Sequence, residues 1–267
     1  MTSAPGERLS AALTPRGADD LPALVGYVTA GFPRRDDTVG LLLALQDAGC
    51  SAAEIGIPFS DPLADGPTIQ RAGGRALRNG MTPALALEQA AQARAAGVSI
   101  PLAFMTYVNP VLTFGVGEFF RATAAAGVDA VIVPDLPADE AADALLASHE
   151  NGVALVPLVA PTTPDARIER ACRGAAGFVY CVSVTGTTGA RTEIAPEAFD
   201  LLERVRPHTT LPRALGFGLS RHEHLVALRG RCEAAVVASA LLDAIDAEPG
   251  DGAAAAASFV RGMLVAP

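Results

Sequence analysis

Eight short β-type runs, separated by helical patterns, limit what this 267-residue chain can fold into more than any other feature. They lie at 23–29 (ALVGYVT), 52–56 (AAEIG), 100–106 (IPLAFMT), 129–134 (DAVIVP), 153–159 (VALVPLV), 177–182 (GFVYCV), 212–217 (PRALGF) and 234–238 (AAVVA). Several are apolar at every position instead of alternating, which suits parallel strands buried on both faces. Between them, 195–206 carries Ala198, Leu201, Leu202 and Val205 at i, i+3, i+4, i+7, with Glu197, Asp200, Glu203 and Arg204 on the other side. Val39, Leu42 and Leu43 repeat that stripe in 36–48. Gly49, Gly97, Gly127 and Gly152 each stand between a helix and the next strand, where a left-handed cap is wanted. The expected fold is α/β: a single-domain (β/α)8 TIM barrel over residues 1–267, with an additional N-terminal helix and the active site at the strand C-terminal ends. A doubly wound sheet stays open, although the first strand lacks G-x-G-x-x-G.

Composition removes whole classes of function. With 50% hydrophobic and 18% charged residues, there is ample material for a large core. No apolar run reaches 18 residues, and the opening MTSAPGERLSAALTPRG lacks the layout of a signal peptide, so a cytoplasmic location is expected. Twenty basic against 29 acidic residues give a net charge of −9, a poor match to nucleic acid. All 20 basic residues are Arg. Without Lys, neither an imine nor attached pyridoxal phosphate is available to this chain, and a Walker A loop is excluded. Cys50, Cys172, Cys181 and Cys232 are too scattered for a zinc knuckle or redox pair and read as buried thiols. His222-Glu223-His224 reads as part of a surface helix, because i, i+2 side chains diverge there; no metal site is expected.

Some residues look chemically deliberate. Glu54 stands inside the apolar run 52–56, so it either points into the barrel mouth or is buried against an Arg partner. In the mouth, desolvation would raise its pKa toward the range a proton shuttle needs. Asp61 and Asp65 follow in a Pro- and Gly-rich stretch where Asp commonly serves turns. The connections 57–82 and 184–194 are long and read as loops before any helix starts. Thr185-Gly186-Thr187-Thr188-Gly189-Ala190, Gly216-Phe217-Gly218 and Ala238-Ser239-Ala240 end successive strands, where backbone N–H groups can cradle phosphate; close packing is the alternative use of such glycines.

The segment Glu54-Ile55-Gly56-Ile57-Pro58-Phe59-Ser60-Asp61-Pro62-Leu63-Ala64-Asp65-Gly66-Pro67-Thr68-Ile69-Gln70 resembles the signature of the tryptophan synthase α chain family. Met105-Thr106-Tyr107-Val108-Asn109-Pro110, Val133-Pro134-Asp135-Leu136-Pro137, Ala160-Pro161-Thr162-Thr163 and Tyr180-Cys181-Val182-Ser183 are similar to it in the same order. The resemblance implies cleavage of indole-3-glycerol phosphate to indole and glyceraldehyde 3-phosphate by a retro-aldol reaction. It implies Glu54 as acid/base and Asp65 as the carboxylate facing the ring N–H. It further implies substrate contacts from Tyr27, Tyr107, Tyr180, Thr188 and Phe217, phosphate contacts from Gly189, Gly218 and Ser239, and a lid over 184–194 that brings Thr188 beside Asp65. The implied partner is a tryptophan synthase β chain in an α2β2 complex, which would carry the pyridoxal phosphate that this chain cannot.

Three residues depart from the family pattern: Ala238 where Gly is more usual, Thr187 where Val is, and Phe32 where Asp is common. All three are expected near the face that meets the β chain. Other readings stay open: a stand-alone lyase releasing indole, a phosphosugar isomerase or epimerase barrel, and a barrel that binds phosphate without turnover.

Overall fold

A computed structural model of the chain describes residues 4–15, 17, 20–182, 194–216, 218–248 and 250–265. Its strands are β1 (Ala23–Thr29), β2 (Ala52–Gly56), β3 (Leu102–Met105), β4 (Ala130–Ile132), β5 (Ala154–Val156), β6 (Leu158–Val159), β7 (Val179–Val182), β8 (Arg213–Gly216) and β9 (Ala234–Val237). They pair in parallel in the order β5-β4-β3-β2-β1-β9-β8-β7-β6. The ends of that order, β5 and β6, are separated in the chain by Pro157 alone. The sheet therefore returns on itself as a barrel, and the eight expected strands become nine because proline interrupts the fifth. Pro157 has no N–H to donate, but its carbonyl accepts the Tyr180 N–H at 3.0 Å and carries the ladder past the break.

The helices are α1 (Glu7–Leu13), α2 (Thr38–Ala48), α3 (Pro67–Arg78), α4 (Pro83–Ala95), α5 (Val108–Phe114), α6 (Val116–Ala125), α7 (Ala142–Asn151), α8 (Asp165–Arg173), α9 (Pro196–Val205), α10 (His222–Leu228), α11 (Ser239–Ala247) and α12 (Gly252–Leu264). The stripe predicted in α9 is buried. In α2 the buried face runs through Thr38, Leu41, Leu42, Leu45 and Ala48, so Leu42 lies on it while Val39 and Leu43 are only half-buried at its side. Gly49 caps α2 with the anticipated left-handed backbone at φ 106°. The connection 57–82 is shorter than expected, because α3 begins at Pro67 with proline in its first turn. The four cysteines are free and buried, as expected. The histidine pair corrects another expectation. His224 is only 3% exposed, and its Nδ1 accepts the Ser220 N–H at 3.1 Å, so α10 turns that side inward. No helix among the described residues is long and apolar enough to cross a membrane.

The expected N-terminal helix, α1, lies across the end of the barrel opposite the strand C-termini, with Leu9 and Leu13 buried. Its entry is tight: a β-carbon on Gly6 would stand 2.6 Å from the Gly177 nitrogen. Asp129, just before β4, pins this end together. Its carboxylate accepts from Arg8 at 2.8 Å, from Arg94 at 2.9 Å and from the Leu102 N–H at 2.9 Å. Arg8 also donates to the Ser99 carbonyl. The Arg94–Asp129 pair is largely shielded, with side chains 18% and 14% exposed. Removing one partner of such a pair leaves a poorly solvated charge behind. Asp129→Ala is therefore expected to cost about 2–4 kcal/mol and lower the thermal midpoint by several degrees, while steady-state activity at 25 °C stays unchanged. Circular-dichroism melts beside an activity assay check both halves.

Candidate active site

The opposite end of the barrel collects the acidic residues. In β2, Glu54 pairs in register with Tyr27 of β1 and Ala103 of β3. Strand alternation turns its side chain into the barrel, where it is 1% exposed. Neither carboxylate oxygen has a hydrogen-bond partner among the described residues, so no described Arg is bonded to Glu54. Burial, with a smaller contribution from the nearby Asp65 charge, pushes its pKa up to about 8.

Asp65 comes from the loop between β2 and α3. The Asp65 N–H donates to the Pro62 carbonyl at 3.1 Å, and Gln70 Nε2 donates to the Asp65 carbonyl at 2.9 Å. These bonds hold the backbone while Oδ1 stays buried without a partner among the described residues. Desolvation raises the Asp65 pKa to about 6, against the opposing effect of the Tyr107 hydroxyl. Tyr107 is tied to the same loop: its oxygen accepts the Ala64 N–H at 3.1 Å, and its ring centroid lies 5.6 Å from that of Phe59. Asp61 is exposed and accepts from the Ser60 hydroxyl, so it serves the turn.

Two more tyrosines close around the pair. Tyr27 and Tyr180 are buried, and both are electrostatically coupled to Glu54 and Asp65. Each ring has its space because the neighbouring strand ends in glycine. A β-carbon on Gly56 would overlap the Tyr27 hydroxyl, and one on Gly216 would overlap the Tyr180 ring. Gly216 and Gly56 are thus clearances, since neither has the positive φ that would require glycine.

The expected phosphate residues lie one strand apart. Gly218 follows β8 with a left-handed φ of 84°, and Ser239 after β9 is the first residue of α11. The first turn of α11 has no acidic side chain, so its N-terminal dipole is left uncompensated. Ala238, at the entry to α11, has φ −125° and ψ −78°, so it is not in the left-handed region that demands glycine. Phe32 is buried, with the Arg75 guanidinium 5.5 Å over its ring. Thr187, Thr188, Gly189 and Phe217, with most of the expected lid, lie outside the described residues. Among those residues, no three His, Cys, Asp or Glu side chains gather as a metal site.

Comparison with known proteins gives this geometry a lineage. The family model described as tryptophan synthase alpha chain matches residues 16–263. The chain belongs to that family. It is 48% identical over 240 residues to the tryptophan synthase alpha chain of Roseiflexus castenholzii, covering 90% of this chain and 92% of the relative. Yeast tryptophan synthase is 42% identical over 244 residues, 91% of this chain but 34% of the yeast protein. Among solved structures, one of the tryptophan synthase a2b2 complex of Pyrococcus furiosus superimposes with a TM-score of 0.86 at 40% identity, covering 91% and 97% of the two chains. Mycobacterium tuberculosis tryptophan synthase gives 0.87 at 33% identity, covering 98% and 97%.

Sequence reasoning missed Thr29, whose hydroxyl is buried in the same mouth beside Tyr27. Its signal was its position: it ends β1 at the same parity as Tyr27, so it points the same way.

The raised carboxyl pKa values have a stability consequence with a definite sign. Between about pH 4.5 and 8 the unfolded chain releases the Glu54 proton that the folded chain retains, so this stability is present below that window and lost across it. Asp65 acts in the same direction between 3.8 and about 6. Urea denaturation is expected to show Glu54→Gln more stable than the wild type at pH 8 to 9, on the order of 1–4 kcal/mol, and level with it near pH 4.

Proposed function

We propose that the chain, acting as one barrel domain, cleaves indole-3-glycerol phosphate to indole and D-glyceraldehyde 3-phosphate. The observation that carries this reading is a pair of carboxyl groups in one mouth, one poised at about 8 and the other at about 6. Near neutral pH, Glu54 then holds a proton while Asp65 is charged. That is the division of labour a retro-aldol cleavage without an imine requires. Glu54 gives its proton to ring C3, and the resulting indolenine C=N accepts the electrons of the breaking carbon–carbon bond. The Glu54 carboxylate takes the proton of the glycerol hydroxyl, so the residue ends as it began. Asp65 faces the ring N–H and stabilises the positive charge that grows there. Tyr27, Tyr107 and Tyr180 wall the ring, and the family resemblance adds Phe217 and Thr188 as substrate contacts. The phosphate rests on backbone amides at Gly218 and Ser239, to which the family resemblance adds Gly189, and this suits a chain without Lys.

The relatives suggest the setting. A β chain in an α2β2 complex would receive the indole, and its pyridoxal phosphate would be held by that partner. The family's biosynthetic role also favours the cytoplasm.

In an indole-release assay, kcat/KM should follow a bell with limbs near pH 6, where Asp65 ionises, and near pH 8, where Glu54 loses its proton. Glu54→Gln should lose about 10²- to 10⁴-fold in kcat while circular dichroism stays native. Asp65→Asn should lose rate while retaining measurable substrate binding. Turnover near the wild-type level in Glu54→Gln would end the mechanism. Repeating the assay with a β chain present tests the partnered role, which requires the rate to rise.

A further inference from the structure

On its outer side, the barrel carries a second cavity, of about 240 Å³, where the fifth strand is interrupted. Leu155 and Pro157 form its inner wall, and Leu145 of α7 stands on one flank. The other flank is α8 and the residues after it, where Ala171, Gly174 and Ala175 leave the space unfilled. Leu145 comes no closer than 3.9 Å to where a Gly174 β-carbon would stand. The cavity reaches the surface beside the loop between β4 and α7, where Pro137 and Ala138 are exposed. It is separate from the mouth: neither Glu54 nor Asp65 lines it.

Its charges limit what it can hold. Arg170 lies at the rim and is ion-paired with Asp139, while Asp135 is the other charged lining residue. An anion would meet one neutralised guanidinium and two carboxylates, so phosphate esters, the substrate included, are disfavoured. A neutral aromatic suits the same surroundings. Its body meets apolar walls, its face can take the Arg170 guanidinium, and a ring N–H can reach Asp135. An apolar cavity of about 150 Å³ holds benzene, so this one has room for a second fused ring.

We infer that this cavity is a secondary site for a neutral bicyclic aromatic, and that its occupant is indole. The choice of indole rests on the proposed lyase reaction, which would release that molecule from the same barrel. The site also touches the catalytic end. Asp135 Oδ1 accepts the Val108 N–H at 2.9 Å, and Val108 follows Tyr107, the residue beside Asp65. An occupant that shifts Asp135 therefore acts on the segment that holds Tyr107.

Equilibrium dialysis with indole tests the site, read by indole fluorescence against a chain that contains no Trp. The wild type should bind two equivalents per chain. Ala171→Phe, which fills the cavity away from the carboxyl pair, should bind one with lyase turnover unchanged. Ala175→Leu serves the same purpose if the larger substitution impairs folding. Equal stoichiometry in the wild type and both variants overturns the inference. Loss of one equivalent in a variant, in a chain that fails to cleave indole-3-glycerol phosphate, would uphold the site while rejecting the lyase reading.

Discussion

A parallel sheet ends in two rows of unpaired peptide groups, and this molecule depends on disposing of both by closure. The join is made at a residue that cannot donate. Pro157 breaks the fifth strand, and one carbonyl, accepting from Tyr180, bridges the gap. Closure creates an interior, and an interior gives a single strand-borne carboxyl its unusual chemistry. In an open sheet, Glu54 would face solvent or a covering helix. In the closed ring it faces other strands, including the Tyr180 that the join holds in place.

Within that interior, space and solvation are managed separately. Space is managed with absent side chains: glycines at the ends of β2 and β8 admit the rings of Tyr27 and Tyr180. Solvation is managed by leaving oxygens of Glu54 and Asp65 without partners among the described residues. An apolar barrel mouth with satisfied hydrogen bonds would be more stable and chemically inert. The opposite end shows the reverse policy: every hydrogen bond that Asp129 accepts ties one element to another.

The strands were legible because parallel burial writes itself as uninterrupted apolar residues, and β1 and β2 fall on the residues that pattern marks. Proline inside 153–159 was visible, but its effect was not, since a missing N–H matters only once the neighbouring strand is known. Helix α3 was hidden by Gly73 and Gly74 in the middle and by small buried residues, Ala72 and Ala76, that make a faint stripe. His224 was misplaced because spacing reports which side chains diverge and not which side is covered. At the site, Glu54 could be located from its position in a strand but not its surroundings; burial without a bonded Arg among the described residues is a fact of the fold. The outer cavity had no signal at all, being made of atoms that α8 lacks.

The ring also has a temporal side. β1 pairs with β9, and α12 lies on α2, so the beginning of the barrel is finished by its last elements. About 200 residues separate Ala23–Thr29 from Ala234–Val237. At ribosomal speeds of roughly 5–20 residues per second, β1 waits on the order of 10–40 s for its second neighbour. Throughout that interval the nascent chain presents a bare strand edge composed of ALVGYVT, a sequence well suited to pairing with another copy. A fold whose finished form has no edge must therefore be made through intermediates that do, and its yield in the cell is decided during synthesis as much as by the stability of the completed ring.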